Sequence, residues 1–82
     1  MEDNRIAVIG ITVNHREENS IKVQEILAEF GNIIIGRMGL PYKDRGISII
    51  SLIVDGTNDE IGALSGKLGS IDEVKTKVSM MK

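Results

Sequence analysis

The sequence contains no cysteine and no tryptophan, and its 82 residues include one proline and one histidine. Without cysteine, neither a disulfide nor a thiolate metal site can brace the fold, and this composition fits a reducing compartment such as the cytoplasm. A chain of this length buries only roughly 60–65% of the surface that its unfolded form exposes. Small domains without such braces commonly rely on a partner subunit or on very regular packing.

Aromatic residues and positive charge are also in short supply. The aromatic side chains are Phe30 and Tyr42, and the formal net charge is −2. Domains that bind nucleic acid usually carry a basic excess and aromatic platforms on which bases stack. Both shortages argue against direct binding of nucleic acid.

Long apolar runs and a leader-like N-terminus are missing as well. No apolar run reaches the roughly 20 residues that cross a bilayer. The first residues, Met1–Asn4, are acidic and polar, unlike a secretory signal. We therefore expect one cytoplasmic domain over residues 1–82, without membrane contact.

The middle of the chain holds two β-branched runs around a loop that contains Gly39, Pro41 and Gly46. This pattern predicts a hairpin of two strands at about 32–38 and 46–54. The hairpin is the feature around which we expect the rest of the chain to pack.

The remaining elements follow from apolar spacing. β-Branched content predicts a first strand at about 5–13, and strict alternation predicts a last strand at about 71–80. Spacings of three and four residues predict helices at about 15–30 and 58–68. The order β-α-β-β-α-β is the split βαβ motif. We predict an α+β, ferredoxin-like fold, with a four-stranded antiparallel sheet in the order 4-1-3-2 and both helices on one face.

The second helix contains Gly62 and Gly66. Each costs about 1 kcal/mol against alanine at an exposed helical position. Close approach of another backbone would explain both glycines.

The first and third strands are apolar on both faces. Ile49 and Leu52, for example, lie on opposite faces because their spacing in the strand is odd. Two helices cover one face, so the other would expose an apolar patch too large for a soluble monomer. We therefore expect a dimer or tetramer, formed through the uncovered face or across a strand edge. Which face is covered stays open.

Much of the chain resembles the small family of iron-only hydrogenase system regulators. The segments that carry the resemblance are Arg5–Val13, Gly36–Gly39, Arg45–Leu52, Asp55–Thr57, Leu64–Gly69 and Val74–Thr76. The resemblance implies an ACT-like fold, akin to the C-terminal domain of the nickel-responsive repressor, and an association with iron-only hydrogenase maturation.

The chain departs from that repressor in its metal ligands. The repressor domain binds metal through histidines and a cysteine, whereas this chain has His15 alone and no cysteine. One histidine per subunit does not supply the ligands of such a site, so we expect no metal. The DNA-binding arm is also missing, so control of transcription would need a partner protein.

The resemblance also implies a place for an effector. ACT-like domains commonly bind small molecules at subunit interfaces, near the turn from the first strand into the first helix. Amides and the helix dipole at this turn favour an anion. We predict an anionic-effector site formed by Asn14, His15 and Arg16, with Arg37 and Arg45 of a neighbouring subunit.

Each of these residues also has a purely structural interpretation. Asn14 can cap the first helix, with Glu17 completing a capping box. His15 can be an exposed residue of the first helical turn. Arg37 and Arg45 can belong to a solvated loop.

No set of residues indicates catalysis. The carboxylates Asp44, Asp55, Asp59 and Asp72 fall at predicted turns or helix caps. No phosphate-binding glycine motif is present. We predict a non-enzymatic regulatory domain that oligomerises and senses a small ligand. No sequence motif identifies a cofactor. The alternative is a ligand-free structural or protein-interaction subunit that assists hydrogenase assembly.

Overall fold

A computed structural model describes residues 3–14 and 17–82. The elements in this part of the chain are β1 (Arg5–Asn14), α1 (Glu17–Glu29), β2 (Ile34–Tyr42), a short 3-10 helix (Lys43–Arg45), β3 (Ile47–Gly56), α2 (Asn58–Gly69) and β4 (Val74–Met80). The strands form one antiparallel sheet in the order β2-β3-β1-β4. The predicted ferredoxin-like fold and its strand order are confirmed.

Two strands, β2 and β4, differ from their expected bounds by three residues or more at one end. β2 continues to Tyr42 and includes Pro41, which an edge strand tolerates because one side of its backbone has no ladder partner. β4 begins only at Val74, because the chain first makes a turn in which the amide of Val74 donates to the carbonyl of Ile71. Glu73 in this turn has a φ of 63°, a left-handed conformation that a strand does not contain.

The core lies between one face of the sheet and the two helices. Alternate residues of β1 and β3 point into it, because successive side chains of a strand face opposite ways. The buried side chains from the sheet are Ala7, Ile9, Ile11, Val13, Ile50, Leu52, Val54 and Val74. Those from the helices are Val23, Leu27, Ile61, Leu64 and Leu68. Both helices therefore pack on the same face, as predicted.

Two polar contacts fix the helices to the rest of the fold. Thr57 accepts a hydrogen bond from the amide of Glu60, and the carboxylate of Glu60 accepts one from the amide of Thr57, a complete capping box for α2. The buried Asn19 of α1 donates from its side-chain nitrogen to the carbonyl of Asp72 at 3.1 Å. This bond ties α1 to the turn that precedes β4. Within the described residues, no helix is long and apolar enough to cross a membrane.

Neither helix of the described residues covers the opposite face of the sheet, which we call the open sheet face. Apolar side chains on β2 and β3 cluster there, and we call this cluster the apolar patch. Its exposed members are Met38, Leu40, Tyr42, Ile49 and Ile53, and Ile47 is a half-buried member. Ile49 is 39% exposed and Leu52 is 0% exposed. The sequence did not decide which of these two residues faces the helices. In the structure Leu52 belongs to the core and Ile49 to the open sheet face.

A β-bulge decides which residues of β2 join the apolar patch. Ile34 pairs with Val54, but Gly36 pairs with Ile53, so the alternation shifts by one residue between them. Regular alternation from Ile34 would have put Met38 on the core face. Because of the bulge, Met38 faces the open side and Arg37 faces the helices.

Candidate functional site

The predicted effector turn is only partly described by the structure. Asn14 is the last residue of β1, is half-buried and pairs with Ile47. The described part of α1 begins at Glu17, directly after the undescribed residues. The capping box of Asn14 and Glu17 stays a prediction. His15 and Arg16 lie outside the described residues.

The two hairpin arginines lie in different elements. Arg37 belongs to β2 and pairs with Leu52, which places it on the helix side of the sheet. Its Nη2 donates to Oε1 of Gln24 on α1 at 2.9 Å. Arg45 ends the 3-10 helix at the hairpin tip and is exposed. Arg37 therefore contacts the first helix of its own chain, whereas participation of either arginine in a neighbour's site stays a prediction.

A pocket of about 280 Å³ opens between α1 and the β2–β3 half of the sheet. Val13, Val23 and Ile50, all buried, form apolar walls. Arg37 and Gln24 line the same pocket, so their hydrogen bond lies at its boundary. The pocket combines an apolar interior with one fully charged donor.

Local packing explains why this space is open. The buried side chains of α1 come from the stripe Asn19, Val23 and Leu27, and β2 lies at the edge of the sheet beyond this stripe. Gly39 lines the pocket, and a Cβ added there would meet nothing within 4 Å. The wall thus lacks a side chain where one would fit. Since Val13 directly precedes Asn14, the pocket also adjoins the turn predicted from the sequence.

Sequence reasoning missed Gln24 and the role of Gly39. Gln24 lies on the exposed side of α1 and has no motif around it. Gly39 was predicted as a turn residue, but it lies inside β2. No local pattern brings Gln24 to Arg37, because the contact depends on how α1 crosses the sheet.

The described residues offer little to a metal ion. Among them, no group of three or more histidine, cysteine, aspartate or glutamate side chains is arranged to hold one. The polar groups that line the pocket are the guanidinium of Arg37, the amide of Gln24 and the hydroxyls of Ser20 and Ser48, beside apolar walls. Groups of these kinds can hold a small ligand by hydrogen bonds and apolar contact.

By its fold the chain is an ACT-like domain. It matches the ACT domain from GTP pyrophosphokinase of Chlorobium tepidum with a TM-score of 0.75 and 19% identity, over 95% of this chain and 99% of that chain. It matches the regulatory subunit of aspartate kinase from Thermus flavus with a TM-score of 0.56 and 22% identity, over 98% of this chain and 59% of that chain. At these identities the likeness shows the fold alone.

Within that class, the chain belongs to the TM1266-like family, described as "Iron-only hydrogenase system regulator, putative", whose model matches residues 5–78. The uncharacterized protein TM1266 from Thermotoga maritima is 39% identical and superposes with a TM-score of 0.96, over 98% of this chain and 100% of that chain. The family resemblance drawn from the sequence is confirmed. A comparison with curated proteins finds no match.

Proposed function

We propose that the chain is a non-enzymatic regulatory domain that forms a homo-oligomer through its open sheet face and responds to a small anionic ligand. The family description, a regulator of the iron-only hydrogenase system, supports the regulatory part. The observation that carries the proposal is the apolar patch on the open sheet face.

The composition of the open sheet face suits a protein interface. Met38 is 73% exposed, Leu40 57% and Ile53 44%, and they adjoin one another across β2 and β3. Contiguous apolar surface of this kind usually marks an interaction site. Lys75 and Lys77 lie on the same face of β4, at the far side of the sheet, where they suit a polar rim.

A second copy of the chain is the occupant that this surface favours. A patch of one chain can cover the same patch of another about a two-fold axis, which gives a closed dimer. Such packing leaves the lysines of β4 outside the apolar centre, so like charges need not meet. A tetramer would need one further surface.

Pairing across the edge of β2 is less favourable. Edge pairing needs a regular row of free backbone donors and acceptors. β2 has a bulge between Ile34 and Gly36, and Pro41 removes a backbone donor near its other end. Both features interrupt the row, so the face of the sheet is a better interface than the edge of β2.

The proposal is tested by a single charge on the patch. Ile49→Asp places a carboxylate in the proposed interface, where its burial without a partner is costly. Ile21→Asp is the matched control, because Ile21 is an equally apolar residue, 54% exposed, on α1. Light scattering and sedimentation should find an oligomer for wild type and Ile21→Asp, and a monomer for Ile49→Asp. Circular dichroism should find all three folded.

Two results would contradict this proposal. A wild-type protein that stays monomeric at about 100 μM would remove the interface altogether, since stable association at working concentrations needs a dissociation constant near or below that range. An Ile49→Asp variant that keeps the native assembly would show that the interface lies at a strand edge or on the helices.

A further inference from the structure

The pocket between α1 and β2 has a specific chemical character. Of the described residues that line it, Arg37 is the one with a full charge, and no carboxylate stands among them. The guanidinium hydrogen-bonds to the neutral amide of Gln24. A carboxylate is a stronger acceptor, because charge-assisted and bidentate bonds to arginine are roughly twice as strong as neutral ones.

The opposite walls are apolar. Val13, Val23 and Ile50 are each no more than 7% exposed, and they come from three different elements. A hydrocarbon group placed against them would leave water without straining the fold. The volume, about 280 Å³, lies just below the usual range of ligand pockets, which favours a small ligand.

From these observations we infer that the pocket binds a small monocarboxylate with a compact apolar group. The carboxylate pairs with Arg37 and displaces the side chain of Gln24, and the apolar group packs against Val13, Val23 and Ile50. This inference rests on the ligand-sensing part of the proposed function and names its ligand class. Because all five residues belong to one chain, the site does not depend on the proposed oligomer.

The test uses two probes of the same carbon skeleton. 3-Methylbutanoate carries the carboxylate, and 3-methylbutylamine carries a positive charge in its place. Titration of the ¹⁵N-labelled full chain should give saturable amide shifts with the acid at Val23, Arg37 and Ile50. The amine should give none, because Arg37 repels it. Acetate should bind more weakly than 3-methylbutanoate, because it buries less apolar surface.

Two arginine variants then distinguish direct pairing of the carboxylate with Arg37 from a general effect of positive charge on the hairpin. Arg37→Gln should weaken binding of 3-methylbutanoate by about tenfold or more, the value of a hydrogen bond to a charged group. Arg45→Gln is the matched control, because it removes the same charge from the same hairpin but does not line the pocket. It should change the dissociation constant by less than about twofold, as expected of a screened surface charge.

Gln24→Glu supplies a second, independent arm. It is nearly isosteric and places an internal carboxylate on Arg37, so it should compete with the ligand and weaken binding by about two- to fivefold. Circular dichroism confirms that each variant is folded. Equal binding by wild type and Gln24→Glu would overturn the assignment of Arg37 as the carboxylate partner.

The remaining outcomes are equally decisive. Saturable shifts that map to the open sheet face, or equal binding of acid and amine, would refute the inference. No shift with any probe would refute it as well and would favour the ligand-free structural subunit. The same titration on Ile49→Asp separates the two proposals. Binding there together with a monomeric wild type would reject the oligomer and keep the pocket.

Discussion

Leu52 and Ile53 are neighbours in β3, yet truncating them should have very different consequences. Leu52 is 0% exposed in the core, and Ile53 is 44% exposed on the open sheet face. Leu52→Ala removes a buried side chain and leaves a cavity, which costs about 3–5 kcal/mol. Ile53→Ala removes apolar surface that is already half in water, so it should cost about 1 kcal/mol or less in a monomer.

The expected loss for Leu52→Ala is a large fraction of the total free energy of unfolding, so the experiment is sensitive. A domain of this length has a free energy of unfolding of roughly 4–12 kcal/mol. Loss of about 3–5 kcal/mol should lower Tm by roughly 12–40 °C, whereas the Ile53 variant should lose less than about 8 °C. Leu52→Asp should unfold the chain outright, because its charge would be buried without a partner.

The assay is urea and thermal unfolding followed by circular dichroism. If the chain associates, the apparent stability depends on protein concentration. Both alanine variants are therefore made in the Ile49→Asp background as well as in the native sequence. Similar losses for Leu52→Ala and Ile53→Ala in that background would refute the assignment of the two sheet faces.

Two further predictions concern the stability effects of the glycines and of the Asn19 side chain. Gly62→Ala and Gly66→Ala should each raise the free energy of unfolding by about 0.5–1 kcal/mol, since an added Cβ meets nothing within 4 Å. Gly46→Ala is the control and should lower the free energy of unfolding, because Gly46 has a φ of 65°. Thermal melts measure all three variants. Asn19→Ala should cost about 1–3 kcal/mol, because the carbonyl of Asp72 loses its buried donor. Denaturation at matched concentration measures this loss, and a change below about 0.5 kcal/mol, typical of a surface site, would show that water replaces the donor.

The glycines of α2 also correct an expectation. Close approach of another backbone was predicted to explain Gly62 and Gly66. Both are exposed, and neither approaches another described part of the chain. Their helical spacing is a sequence fact, but what lies opposite a helix face is decided by the packing of the whole domain.

The contacts of the candidate site join residues that are distant in the sequence. Arg37 was identified from its charge and its position in the hairpin. Its partner Gln24 is 13 residues away and belongs to another element, so no motif joins them. Asn14 was predicted to cap the first helix, and in the structure it is also the last residue of β1, where it pairs with Ile47. No local pattern predicts that pairing, because the two residues are far apart in the sequence.

The sequence by itself determined the order of elements and the two apolar faces of β3, because each segment carries its own period of 2 or 3.6 residues. The capping box of Thr57 and Glu60 has the same local origin. The strand order was predicted from the split βαβ motif that this order of elements forms. Only the tertiary structure decided that Leu52 faces the helices and Ile49 the open side. Only the bulge after Ile34 brought Arg37 to α1, because one extra residue in a strand reverses the facing of every residue that follows.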